Sequence, residues 1–409
     1  MTRAAARGRA VGAGLAVVCA LLAPATVGRA APAPDPQAAF RRALAHRFAP
    51  QLRYNAYSPQ VDAPNNNRNE DFFPGSVDAF LRALVTGRYR VVQRMSVGPE
   101  PALVGVLEAG SGRLERTHLA GYPERMAGAP PGRAPSYVHV YRAGQTGDDT
   151  RWWCEYWQWY PYDHACARVL GRGGCVGGHR GDWEHQSFEL RVPRGGGPEA
   201  ARLVRGVFYG HGWAISLEAA RLERVDDEGR GTPTGTHPVV YVSVGKHASY
   251  PYAGELRAYV ASRWLVDHDD VFHGNGVWID TWRAPLVDIA PPARRAHPER
   301  FASEAWRTLV GGRDDLPPDW LSFRGRWGPD GVAGFGLNPV RSPTGPYAKR
   351  CFGDAGASAQ PFDRWRQRFG DRLRLDREIR RAPLPARRPA PLPREAASAA
   401  DDGARGARR

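Results

Sequence analysis

The densest set of residues able to do chemistry is Gly178-His179-Arg180-Gly181-Asp182-Trp183-Glu184-His185. Asp182 and Glu184 are two apart, so on an extended backbone they point the same way. His179 lies on a Gly-rich approach that can fold back towards them. Upstream, Trp159-Tyr160-Pro161-Tyr162-Asp163 ends in a further carboxylate. One imidazole and several carboxylates suit a divalent cation, with water filling the open positions. Oxygen-rich ligands favour calcium or magnesium, and the single imidazole leaves manganese open. The same residue types also suit a solvated turn or salt bridges to the many arginines.

Two further clusters stand out. Pro238–Pro251 reads as an apolar strand ending in Gly245-Lys246-His247-Ala248-Ser249-Tyr250, which places Lys246 and His247 at a sheet rim. Here a hydrogen-bonded structural histidine is the competing reading. Asp267-His268-Asp269-Asp270 with His273 reads equally well as a ligand set or a polar loop. His185 and His247 are the candidate general bases if a metal-bound water is activated. No nucleophile elbow, phosphate loop or dinucleotide fingerprint occurs.

These residues need a scaffold, and the chain is rich in strand signals. Ser136–Arg142, the aromatic run Arg151–Tyr160, Gln186–Val192, Leu203–Tyr209, Trp213–Glu218 and Pro238–Val244 are short apolar runs set off by turn residues, as is Pro101–Glu108. The metal-type cluster would sit just before the strand Gln186–Val192. Helices are predicted over Ala38–Phe48, Ser76–Thr86, Glu299–Val310 and Pro361–Phe369. The second follows the i, i+3, i+4, i+7, i+8 apolar pattern and stops at Gly87. The expected fold is mainly β, an antiparallel β-sandwich with a few peripheral helices.

The N-terminus supplies a compartment. Arg3, Arg7 and Arg9 precede an apolar run, Val11–Leu22, followed by small residues suited to cleavage. That is the pattern of a signal peptide and predicts a secreted protein. The expected organisation is a signal peptide over 1–30, a flexible leader over 31–37 and one β-sandwich domain over 38–355. A helical extension over 356–381 and a disordered Pro/Ala/Arg-rich tail over 382–409 complete it. Export leaves four cysteines in the mature chain, Cys154, Cys166, Cys175 and Cys351, an even number in an oxidising compartment. Cys166–Cys175 is the natural local loop, which leaves Cys154–Cys351. A structural zinc site is the rival reading, and no Cys-x-x-Cys pair supports it.

The 409-residue chain carries a net charge of +15, and all of its 57 basic residues except Lys246 and Lys349 are arginine. Four of those arginines fall in 1–30, and 371–409 carries eleven arginines against six acids. The charge is thus concentrated at the ends and marks no recognition surface, so a specific nucleic-acid role is not expected. Peripheral contact with anionic membranes remains compatible with it. The expected state is a monomer.

Four pieces occur in order: Arg47–Arg53 with Phe73–Phe80, Gly181–His185, Pro238–Ser249, and Phe323–Gly328. Together they resemble the vacuolar protein sorting-associated protein 62-like family, over residues 40 to 350. Trp159–Asp163 followed by Gly178–Glu184 is also similar, more distantly, to the signature of the necrosis- and ethylene-inducing-like proteins. Those are secreted β-sandwich cytolysins that bind a divalent metal and act at glycolipid-bearing plant membranes. Carried over, the resemblance implies Asp163, His179, Asp182 and Glu184 as metal ligands, with His247 nearby and Trp183, Lys246 and His247 on the binding rim. Gly181 departs from that signature, which has a histidine there, and a longer stretch with Cys166 and Cys175 intervenes. Three functions follow as expectations: metal-assisted binding of a polar lipid head group or carbohydrate, with cytolysin-like action; a metal-dependent hydrolase of phosphoester or glycosidic bonds; and a non-catalytic interaction module.

Overall fold

The computed structural model describes residues 37–55, 73–85, 89–92, 118–121, 128–163, 167–169, 172–174, 179–210, 212–260, 266–290, 303–311, 319–328, 343–349, 352–355, 360–362, 364 and 375–383. The expected leader peptide, the strand at 101–108, most of the helix at 361–369 and the tail beyond Pro383 lie outside these residues.

A seven-stranded sheet forms the centre of the architecture. Its strands are β4 (Ser136–Thr146), β5 (Asp149–Asp163), β8 (His179–Pro193), β9 (Arg202–Gly210), β10 (Trp213–Glu218), β17 (Leu286–Asp288) and β18 (Gln360–Pro361), in the order β17-β4-β5-β8-β9-β10-β18. Four antiparallel pairings run from β4 to β10. The edge strands β17 and β18 pair parallel to their neighbours. A five-stranded sheet joins β1 (Gln51–Arg53), β11 (Arg224–Val225), β12 (His237–Val242), β13 (Ser249–Tyr250) and β16 (Trp278–Asp280). Within it β1 runs parallel to β12. A three-stranded sheet places β14 (Gly254–Val260) between β15 (Val266–Phe272) and β19 (Leu375–Arg381). Two short ladders complete the set, β2 (Tyr89–Val92) with β3 (His118–Gly121) and β6 (Ala167–Val169) with β7 (Arg172–Gly174).

The central sheet is apolar on both faces, and strand alternation separates the two cores. From β5, Trp152, Cys154, Tyr156 and Tyr160 join Phe188, Leu190 and Phe208 against Leu52, Val239, Val240 and Val242 of the five-stranded sheet. This is the sandwich core. The odd-numbered Trp153, Trp157 and Trp159 face the other way, with Trp183, Val207 and Tyr209. They pack under helix α2 (Val77–Val85), helix α3 (Glu304–Val310) and the segment Trp320–Trp327. Each buried aromatic removes roughly 150–250 Å² from water, worth several kcal/mol at about 25 cal/mol per Å².

Local sequence explains the helices. In α2 the buried residues are Val77, Phe80, Leu81 and Leu84, one helical stripe. Ser303 caps α3 by accepting from Trp306 N at 3.1 Å, and Gly311 ends it in the left-handed conformation at φ 51°. Helix α1 (Ala38–Arg47) buries Leu44 and Ala45 on the sandwich core.

Of the segment 356–381, where a helical extension is expected, the described residues include strands β18 and β19, and Phe362 and Arg364 are helical. Two expectations change. β8 begins at His179, so the polar cluster lies within a strand and not ahead of one. Cys154 is a free thiol with no solvent exposure, so the expected Cys154–Cys351 bridge is not formed. Its β5 position points it into the sandwich core, where burial pushes the thiol pKa up and keeps the group inert. Cys166, Cys175 and Cys351 lie outside the described residues.

Candidate metal centre

The polar cluster lies where β5 and β8 end together. Their register pairs Trp159 with Trp183, Tyr160 with Asp182, Tyr162 with Arg180 and Asp163 with His179. Strict alternation would put His179 and Asp182, three apart, on opposite faces of the sheet. Gly181, between them, breaks the alternation. It adopts φ +62°, open to glycine and costly for other residues. A Cβ there would stand 1.6 Å from the Trp327 carbonyl oxygen. Across the ladder stands Pro161, which has no N–H to donate.

The result is that Asp163, His179 and Asp182 each offer a ligand atom, all within 4.8 Å of one another. Asp163 and Asp182 are buried, at 6% and 3% exposure, and His179 is half-buried. His179 Nε2 lies 3.5 Å from Asp163 Oδ2. Asp182 Oδ1 accepts a hydrogen bond from Trp183 N at 2.9 Å. Asp182 Oδ2 and His179 Nδ1 are buried with no hydrogen-bond partner. Burial alone would raise the Asp182 pKa. The facing His247 imidazole, with the neighbouring His179 ring and the Lys349 charge, outweighs it and holds the carboxyl below its ordinary value. An ionised, buried carboxylate without a full set of partners is a donor waiting for a cation. Two carboxylates and one imidazole match a hard or borderline divalent ion. Glu184 stands on β8 opposite Gln158, partly exposed, and is not one of the three converging residues.

The two candidate bases separate. His247 packs its ring on Tyr160 at 3.8 Å and 4°, and its Nδ1 lies 3.8 Å from Asp182 Oδ2. Tyr160 is in turn fixed by a 2.8 Å hydrogen bond between its hydroxyl and that of Tyr54. His247 sits at φ 57°, the only non-glycine with positive φ among the described residues. Such a conformation is sustained by the tight turn whose His247 N donates to Ser243 O at 2.9 Å. His185 goes elsewhere. It lies on the helix-side face, sandwiched between Trp157 at 3.8 Å and Tyr209 at 4.0 Å. Burial, with the Lys349 charge, pushes its pKa far below the ordinary value and keeps it neutral.

The expected rim is buried. Trp183 is fully enclosed, with Tyr137 and Trp327 edge-on at 5.4 Å each and Trp320 stacked at 6.2 Å. As an odd position on β8 it must face the helices when Asp182 faces the sandwich. His247 has no exposure and Lys246 has 9%. Lys246 Nζ lies 3.6 Å from Asp270 Oδ1, and Tyr250 OH donates to Asp270 Oδ2 at 2.5 Å. The second acidic stretch is therefore built into strand β15. His273 Nε2 stands 3.0 Å from Glu255, away from the three-residue group. Side chains of 267–269 lie outside the described residues.

Residues not singled out also shape the site. Tyr54 and Tyr160 fix His247, Trp327 encloses Gly181, and Lys349 reaches back from the C-terminal part to donate to Trp183 O. Trp327 lies in the Phe323–Gly328 piece already noted, but nothing in its sequence pairs it with Gly181.

No family model matches the chain, and no curated protein matches it. Among solved structures, a chain described as "NLPPya in complex with mannosamine" matches with 15% identity, 64% of this chain and 81% of that chain covered, and a TM-score of 0.25.

Proposed function

We propose that this is a secreted protein whose Asp163/His179/Asp182 group holds a divalent cation, and that the cation bridges the protein to a polar lipid head group or a carbohydrate. The observation that carries the reading is the convergence of those three side chains, brought about by Gly181 at φ +62°. Asp182 Oδ2 and His179 Nδ1, both buried and outside any hydrogen bond, support it. When bound, the cation supplies a positive centre with open positions for the oxygens of a hydroxyl or phosphate group. Asp182 stays ionised in its buried setting, and His247 and Tyr160 hold its orientation. Glu184, partly exposed on the same strand, is not part of that group, and the reading gives it no ligand role. The N-terminal arginines and the Val11–Leu22 run support export.

The hydrolase alternative keeps only His247 as its base, since His185 faces the other side of the sheet. The test is binding to liposomes of glycosylated or anionic lipid and to a glycan array, each with calcium or manganese and again with EDTA. The proposal expects binding that EDTA abolishes and that Asp182→Asn lacks. Binding unchanged by EDTA would reject it.

A further inference from the structure

A second site lies away from the metal-type cluster, between helix α1 and the β17–β4 edge of the central sheet, where there is a cavity of about 190 Å³. Protein interiors are close-packed, and voids much larger than a water molecule are few. Small side chains leave room for this one. Ala45 lines it from the helix and Ala284 from the turn that leads into β17. Val138, Val140 and Leu286 complete the apolar walls. Val138 and Val140 are alternate residues of β4, and Leu286 and Asp288 alternate residues of β17, so each pair shares one face of the sheet. Ala45, Val138 and Val140 belong to the sandwich core, and Leu286 packs against it, so the walls continue that core.

The polar groups of the lining are few. Arg42 and His46 are exposed at the mouth. Arg41 is buried and held by partners of its own, Asp288 among them, so it calls for no anion from a ligand. Asp288 is the one carboxylate of the lining, and its side chain is 13% exposed. Its Oδ1 accepts from Ala290 N at 2.9 Å, and its Oδ2 lies 3.4 Å from Arg41 Nη2. Each carboxylate oxygen has room for about two hydrogen bonds, so the group keeps acceptor capacity at the cavity. A donor is therefore the polar group that fits there. A charge brought between these apolar walls would lose its hydration and gain little in return.

We infer that this cavity binds a small neutral alcohol, its apolar body against Ala45, Val138, Val140, Ala284 and Leu286 and its hydroxyl donating to Asp288. An apolar concavity with a single well-placed polar group is the usual form of a small-molecule site. An apolar cavity of about 150 Å³ takes one benzene ring, so the volume here suits one ring with a one-carbon arm. The inference stands independently of the metal reading.

The test uses the full chain and benzyl alcohol, with phenylacetate and benzylamine as charged relatives of the same body and methanol as the hydroxyl without one. Binding is followed by ligand-observed NMR and by the rise in unfolding temperature. Benzyl alcohol should bind with a Kd of about 1 mM or tighter, and the other three at least about tenfold more weakly. EDTA should change nothing, which separates this site from the metal-type cluster. Ala45→Leu, which fills the cavity and suits a helix, should abolish binding while keeping the unfolding temperature. Ala284→Leu, at a half-buried position with extended backbone, gives the same readout from the opposite wall. Binding that survives both substitutions or is lost with EDTA, equal binding of phenylacetate or benzylamine, or no binding of benzyl alcohol at about 10 mM would overturn the inference.

Discussion

Replacing Gly181 with alanine tests the element that assembles the cluster. An L-residue in the left-handed region costs roughly 1–2 kcal/mol. The new Cβ would stand 1.6 Å from Trp327 O, so the backbone of one segment must move. Overpacking of that kind adds about 1–3 kcal/mol. Loss of glycine's freedom in the unfolded chain returns about 0.4–1 kcal/mol. The net expectation is a destabilisation of about 1–4.5 kcal/mol, a fall in unfolding temperature of about 2–7 °C for a domain of roughly 320 residues. The site should suffer more than the fold. With alternation restored, His179 would swing away from Asp182, and affinity for manganese should drop at least about tenfold, or 1.4 kcal/mol. Urea and thermal unfolding followed by tryptophan fluorescence give the stability, and calorimetric titration gives the affinity. An alanine variant that unfolds within a degree of the parent and binds manganese equally would refute the reasoning. Gly181→His meets the same carbonyl with a larger group and should be worse.

Other expectations follow from buried groups. His185 is held neutral below its ordinary pKa of 6.5, so the unfolded chain takes up a proton there that the folded chain does not. Its contribution to stability is complete above about pH 6.5 and falls as the pH drops, by at most about 1.4 kcal/mol per pH unit. Urea unfolding of His185→Phe between pH 7 and 5 should show a shallower loss than the parent, and identical slopes would contradict this. Cys154, with no exposure and its pKa raised by burial, should resist a thiol reagent in the folded protein and react only on unfolding. Mass spectrometry of labelled peptides locates the adduct, and rapid native labelling at Cys154 would count against the burial.

Much of the strand framework was legible because its signals are local. Trp213–Glu218 is a strand over the range the residues predict, and the aromatic run Arg151–Tyr160 sits inside β5. The stripe of α2 predicted four of its buried residues, Val77, Phe80, Leu81 and Leu84, while Val85, the fifth apolar position of the pattern, is exposed. The helix-side position of Trp183 and His185 also follows from sequence. If Asp182 and Glu184 share a face, their odd-numbered neighbours share the other. The rim expectation for Trp183 followed the motif and not that alternation. Long-range features were not legible. The parallel pairing of Gln51 with Val239 joins segments far apart in the chain, and β19 reaches β14 from the C-terminal part. Nothing local in Gly181 announces that Trp327 will close over it, yet that contact decides which residue can stand there. The backbone that gathers Asp163, His179 and Asp182 leaves no room for a side chain at 181.

The central claim is that three side chains at the end of the β5–β8 ladder hold one divalent cation. Titration of the metal-free protein with manganese, read by electron paramagnetic resonance and calorimetry, tests it most directly. The account predicts one bound ion per chain, displaced by calcium or magnesium, with affinity at least about tenfold weaker in a folded Asp182→Asn variant. No saturable binding by the parent, or an Asp182→Asn variant that binds as tightly, would contradict it.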